Sequence, residues 1–163
     1  MTEFGFETPE DAATASNGRT RQYVTFLVGD RVFGVDINTV REIRQWTPTT
    51  VLPNQPHFTR GVLNLRGTIV PVHDLRARFS GELTEATETH VVVIAAIGEQ
   101  TVGVLVDAVS DIVSVSTDDI RPVPASASDS DLTAISGLVS TDEAMVALLD
   151  LTALFAVERF ELA

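Results

Sequence analysis

Lysine and cysteine are both absent from this 163-residue chain, and each absence removes a group of functions. Without cysteine there are no disulfides, no thiolate metal sites and no thiol nucleophile, so redox chemistry gives no reading of compartment. Without lysine every base is an arginine, and the formal charge is −12. That balance disfavours binding that tracks nucleic-acid phosphates, which works through clustered cations. Aromatics are 6% of the residues, with one Trp and one Tyr, which offers no base-stacking platform. The longest purely apolar run, VVVIAAI at 91–97, is far short of the ~20 residues a membrane helix needs. The opening MTEFGFETPEDAATASNG has neither a basic start nor a continuous apolar stretch, so it does not read as a secretory signal. Its composition reads instead as a disordered acidic tail over residues 1–20, ahead of one domain at 21–163. Cytoplasmic is the default expectation.

Catalytic signatures are missing as well. His57, His73 and His90 are scattered, with no metal-ligand spacing among them. His73 and Asp74 are adjacent at a strand-to-helix switch, and His73 reads as a half-buried strand residue. There is no G-x-S-x-G, no P-loop and no dinucleotide fingerprint. Asp129 and Asp131 in SASDSDL lack the rest of a calcium loop and read as a solvated turn. Trp46 and Tyr23 stand alone. The expectation is a protein that is not an enzyme, with no catalytic residue, no cofactor and no metal.

What the chain does contain is a concealed repeat. YVTFLVGDRVFGVDINTVREIRQW (23–46) lies over VVIAAIGEQTVGVLVDAVSDIVSV (92–115) at the 69-residue offset from Gly34 to Gly103. RGVLNLRGTIVPVHDLRARF (60–79) lies over SGLVSTDEAMVALLDLTALF (136–155) at the 76-residue offset from Asp74 to Asp150. The difference falls in the polar SASDSDL stretch. The pseudo-repeats therefore run over about 22–80 and 91–156 and are expected to intertwine. Each opens with β-rich runs around a Gly-acid pair, Gly29-Asp30 or Gly98-Glu99, which is a hairpin signal. Each closes on an Asp-Leu step, where Asp74 and Asp150 are natural N-caps and 150–159 reads as a helix. Gly34 and Gly103 read as strand bulges or sites of close approach. Short strands at this spacing predict a mainly β fold of barrels or sandwiches. A half of ~65 residues is marginal by itself, so the halves should pack together and leave a seam suited to binding.

The copies differ where one has acquired a task. Arg66-Gly67 lies opposite Asp142-Glu143, so the fold does not call for arginine there. An unpaired guanidinium is too costly to bury, which places Arg66 on a rim, with Gly67 easing a turn or a close approach. Between residues 41 and 78 stand Arg41, Arg44, Arg60, Arg66, Arg76 and Arg78 against only Glu42 and Asp74. This concentration reads either as ordinary solvated surface or as a basic face turned toward an acidic protein partner.

GVDINTVREI (34–43), GVLNLRGTIVPVHDLRARF (61–79), VGVLVDAVSDI (102–112) and IRPVP (120–124) together resemble the CheW family of chemotaxis coupling proteins. The likeness covers about residues 21–158. It implies two packed five-stranded SH3-like barrels with short helices, a C-terminal helix and a hydrophobic core between the barrels. It further implies a non-enzymatic adaptor joining the regulatory domain of the histidine kinase CheA to the cytoplasmic tips of methyl-accepting chemoreceptors, in the cytoplasm at membrane-bound arrays. By motif, Arg66 and Gly67 fall on the receptor-binding NLRG turn, and Val40, Glu42 and Ile43 on the V-x-E-I segment of the same groove. His73 stands where an aliphatic residue is usual. Alternatives from the residues are a related scaffold in a non-motility chemosensory pathway and a small-molecule-binding β-barrel. The initial Met favours a free-standing protein over a kinase regulatory domain.

Overall fold

The computed structural model describes residues 19–124, 134–141 and 144–155. The acidic N-terminal stretch, the SASDSDL loop, Asp142-Glu143 and everything after Phe155 lie outside the described residues. The strands are β1 Thr20–Val28, β2 Arg31–Asp36, β3 Val40–Gln45, β4 Thr59–Leu65, β5 Thr68–Asp74, β6 Val91–Ile97, β7 Gln100–Val106, β8 Ala108–Ser116, β9 Ile135–Ser140 and β10 Met145–Leu149. Two short helices, α1 Leu75–Ser80 and α2 Leu151–Leu154, follow β5 and β10. The predicted Gly-acid hairpins form with two-residue loops, pairing Val28 with Arg31 and Ile97 with Gln100. Asp74 and Asp150 cap the two helices by accepting from the backbone N–H groups of Ala77 and Ala153. Of the helix predicted over 150–159, Leu151–Leu154 is helical and Phe155 is its C-cap, while 156–159 lie outside the described residues.

Among the described residues ten strands form two five-stranded sheets, in the orders β8-β1-β2-β10-β9 and β3-β6-β7-β5-β4. Replacing each strand by its mate in the repeat turns one order into the other. The sheets do not follow the halves of the chain, however. The β1–β2 hairpin joins strands from the second half, and the β6–β7 hairpin is inserted among strands of the first half. Among the described residues the parallel pairings, β2 with β10 and β5 with β7, are the ones that attach each visiting hairpin.

Three apolar clusters among the described residues follow from this arrangement. Leu65, Val70, Val72, Val92, Ile94 and Leu105 fill one barrel. Tyr23, Val115, Val139, Val146 and Leu148 fill the other. The largest cluster lies between the barrels, where Val24, Phe26 and Phe33 meet Val93, Val104 and Val106. Each fully buried Val or Phe side chain contributes ~1.5–3 kcal/mol, so the seam is a principal source of cohesion. The central strands β5 and β7 are consequently covered on both faces. Val70 and Val72 face their own barrel, while His73, on the opposite face, is completely buried against Phe58 and Phe155. His73 is therefore not half-buried as alternation predicts, because the face that would meet solvent in a single barrel meets the seam here.

Close approach, and no bulge, explains the paired strand glycines. A Cβ on Gly103 would sit 2.8 Å from Val92, and one on Gly34 would sit 3.2 Å from Val146 and Leu148. Gly61 and Gly137, also repeat mates, mark where a returning segment bridges the outer strand. A side chain there would run into the Thr50 carbonyl or into Ile120, and Gly61 has φ +139°, a region closed to other residues.

Candidate functional site

The NLRG turn is built by a local conformational demand. Leu65 pairs with Thr68, leaving Arg66 and Gly67 as a two-residue loop with φ of 53° and 91°. Two successive positive φ values match the strand twist in an antiparallel hairpin. Gly67 takes its value without strain, whereas a left-handed arginine costs ~1–2 kcal/mol. The Asn64 Oδ1 accepts from Gly67 N at 2.9 Å and fastens the turn. A Cβ on Gly67 would meet nothing within 4 Å, so the turn faces open space.

Across the barrel mouth lies β3, with a register irregularity between Val40 and Glu42 where it pairs with β6. Such a bulge re-aims the side chains that follow it. Glu42 Oε1 accepts from Arg66 at 2.6 Å, and its Oε2 accepts from Arg44 at 2.7 Å. The Arg66 hydrogen bond, then that of Arg44, holds the Glu42 carboxyl below the ordinary carboxylate range, and Glu42 raises Arg66 in turn. Glu42 and Arg66 therefore hold each other in their charged forms. Arg66 is 71% exposed, as expected of a rim residue.

The five residues singled out by motif thus separate. Arg66 and Glu42 meet directly, and Gly67 completes the turn that presents Arg66. Ile43 is 48% exposed and, by the alternation of β3, projects from the opposite face of the strand to Glu42 and Arg44. Val40 is half-buried and packs against the seam cluster, so it links the lip to the core. Arg44 was not legible as part of this group. Its only sequence signal is its position two residues from Glu42, on the same face of β3.

Thr68 and Ile69, directly after the turn, open a cleft of about 300 Å³ at one end of the seam, lined further by Pro71, His73, Thr101 and Phe155. A second hollow of about 340 Å³, between the Gly29-Asp30 turn and α1, is lined by Phe33, Arg76 and Phe79. Phe79 and Phe155 are repeat mates, so the seam is open in a related way at both ends. Trp46 proves to be a packing residue, resting on the barrel core with Arg60 5.4 Å above its ring.

His73 supplies no catalytic group. Its Nδ1 lies 3.0 Å from the Thr59 hydroxyl, while its Nε2 is buried without a partner. Burial lowers its pKa to about 4, so it is neutral in the folded protein. Its repeat mate is Leu149, which shows that the fold accepts an aliphatic side chain in this setting. Unfolded chains take up a proton near pH 6.5 that the folded chain refuses until about 4, so stability declines as pH falls across that window and levels off below it. His73→Leu is expected to remove about one proton from that acid dependence and to raise stability at pH 7 by ~1 kcal/mol. Urea unfolding at pH 7.5 and 5.0 measures both; an unchanged acid slope would show that His73 is not held neutral by burial.

Among the described residues no group of three or more His, Asp or Glu side chains could hold a metal, and no helix is long and apolar enough to cross a membrane. Two barrels around a common core, carrying a cleft and an ionised lip at their surface, have the architecture of a scaffold. The CheW-like domain family matches residues 22–159. A probable chemotaxis protein CheW of Rhizobium etli is 40% identical over 152 residues, 93% of this chain and 98% of that protein. The chemotaxis protein CheW of Rhizobium meliloti is 43% identical over 143 residues, 88% of this chain and 92% of that protein. The crystal structure of the scaffolding protein TtCheW of Thermoanaerobacter tengcongensis superposes with a TM-score of 0.75 at 31% identity, covering 83% of this chain and 87% of that one. The chain belongs to the CheW family: it is a non-enzymatic adaptor of chemotaxis signal transduction, the class that couples chemoreceptors to the kinase CheA.

Proposed function

We propose that this chain tethers the regulatory domain of a histidine kinase CheA to the cytoplasmic tips of methyl-accepting chemoreceptors, working in the cytoplasm at receptor arrays. The observation that carries the reading is the meeting of Arg66 and Glu42 at 2.6 Å on an exposed lip, from segments 24 residues apart. Within this reading Arg66, Gly67, Val40, Glu42 and Ile43 form the receptor-binding surface. A receptor helix would lie along the edge strand β3, an apolar stripe meeting Ile43 while its polar flank meets the lip. Individually weak contacts are multiplied when many adaptors and receptors share an array. The two pseudo-repeats, 22–80 and 91–156, supply the two-barrel frame, and no chemistry in this chain is required: kinase control would follow from geometry.

Arg66→Glu places two carboxylates in the lip and is expected to reduce capture of a receptor cytoplasmic fragment by about tenfold or more while leaving the fold intact. Pull-down with circular dichroism tests it. Wild-type capture by a folded variant would reject the role of Arg66.

A further inference from the structure

We infer that Arg44 and Arg66 form a two-armed cradle for a carboxylate on an acidic side chain of the docking partner, with Glu42 as the strut between the arms. This rests on the docking role proposed above and names the chemistry the lip selects.

Elimination leads to these two residues. Of the six arginines between 41 and 78, Arg60 bonds Asp74 and the Thr84 carbonyl. Arg76 grips both oxygens of Asp107 at 2.9 and 3.1 Å. Arg78 donates to the Leu154 carbonyl and lies over Phe58. Arg41 donates to the Asn38 carbonyl. Arg44 and Arg66 alone in the set share one carboxylate, Glu42. Two cations on one anion leave a local positive excess, on a chain whose formal charge is −12.

The arms are available. Arg44 is 40% and Arg66 71% exposed, and each directs one terminal nitrogen to Glu42. The remaining donors of each planar fork suit a second carboxylate, the ligand that guanidinium geometry matches best. Nor does the fold demand either cation. Their repeat mates are Val113 and Asp142, whereas the acid between them is retained as Asp111. A polyanion would meet the chain's overall negative charge, but a single carboxylate at the lip feels mainly charges within the ~8–10 Å screening distance.

The test uses the full chain and a chemoreceptor cytoplasmic-tip fragment, with binding followed by fluorescence anisotropy at low and high salt. Arg44→Gln is expected to weaken binding about fivefold and to flatten its salt dependence. Arg44→Lys should recover only part of the loss, because it keeps charge without the fork. Arg41→Gln, exposed on the same strand but outside the cradle, should bind as wild type. Wild-type affinity and salt slope in a folded Arg44→Gln variant would overturn the cradle and leave the docking role standing. Loss of affinity with an unchanged salt slope would also overturn it, since Arg44 would then act by packing. Failure of the wild-type chain to bind would remove the docking role itself.

Discussion

Asp74→Ala is expected to destabilise the protein by ~3–5 kcal/mol, a large share of the 5–15 kcal/mol available to a typical domain. Asp74 is completely buried and engages four donors. Its Oδ2 accepts from Thr84 N at 2.7 Å and Arg60 at 3.0 Å, and its Oδ1 from the Thr84 hydroxyl at 2.8 Å and Ala77 N at 3.3 Å. Truncation leaves a largely buried guanidinium and a buried N–H without their anion, which is the costly way to break an internal pair. The repeat provides the control. Asp150 is exposed and, among the described residues, caps α2 through Ala153 N, so Asp150→Ala should cost only ~1 kcal/mol. Thermal melts of both variants decide the matter: equal losses would mean that the Arg60–Asp74–Thr84 network contributes little beyond a helix cap.

Truncation after Phe79 is expected to abolish cooperative folding altogether. The fragment would keep β1 and β2 but lose β8 and β10, their neighbours on either side. It would also lose β6 and β7, the centre of the other sheet, which separates β3 from β5 and β4. Neither barrel retains a core, and unpaired strand edges invite aggregation. A sharp two-state melt of residues 1–79 by circular dichroism would contradict the exchanged-hairpin arrangement.

Much of the local structure was legible because it obeys short-range rules. The Gly-acid turns, the Asp caps and the exposure of Arg66 each follow from a few neighbouring residues. The repeat also revealed which strands correspond. It did not reveal which sheet each hairpin would enter, since periodicity reports a strand's own faces and not its distant partner. His73 is more deeply buried than its sequence setting suggests for a related reason: one face of β5 is covered by the second barrel, and alternation within β5 carries no trace of that cover. At the lip, the motif identified Glu42 and Arg66 as members of one segment pair. Arg44 escaped because an arginine within a strand reads as solvated surface until its carboxylate partner is located in space.

The crossing of the hairpins has a mechanical consequence. In beads joined by a linker, a tug on one bead is absorbed by slack. Here a tug on the lip passes through β3 and β5 into β6 and β7, and from that hairpin along the backbone into β8 of the opposite barrel. The two ends of the molecule are laced by hydrogen-bonded ribbons rather than tied by a string. Displacement applied at one end is delivered at the other with little play.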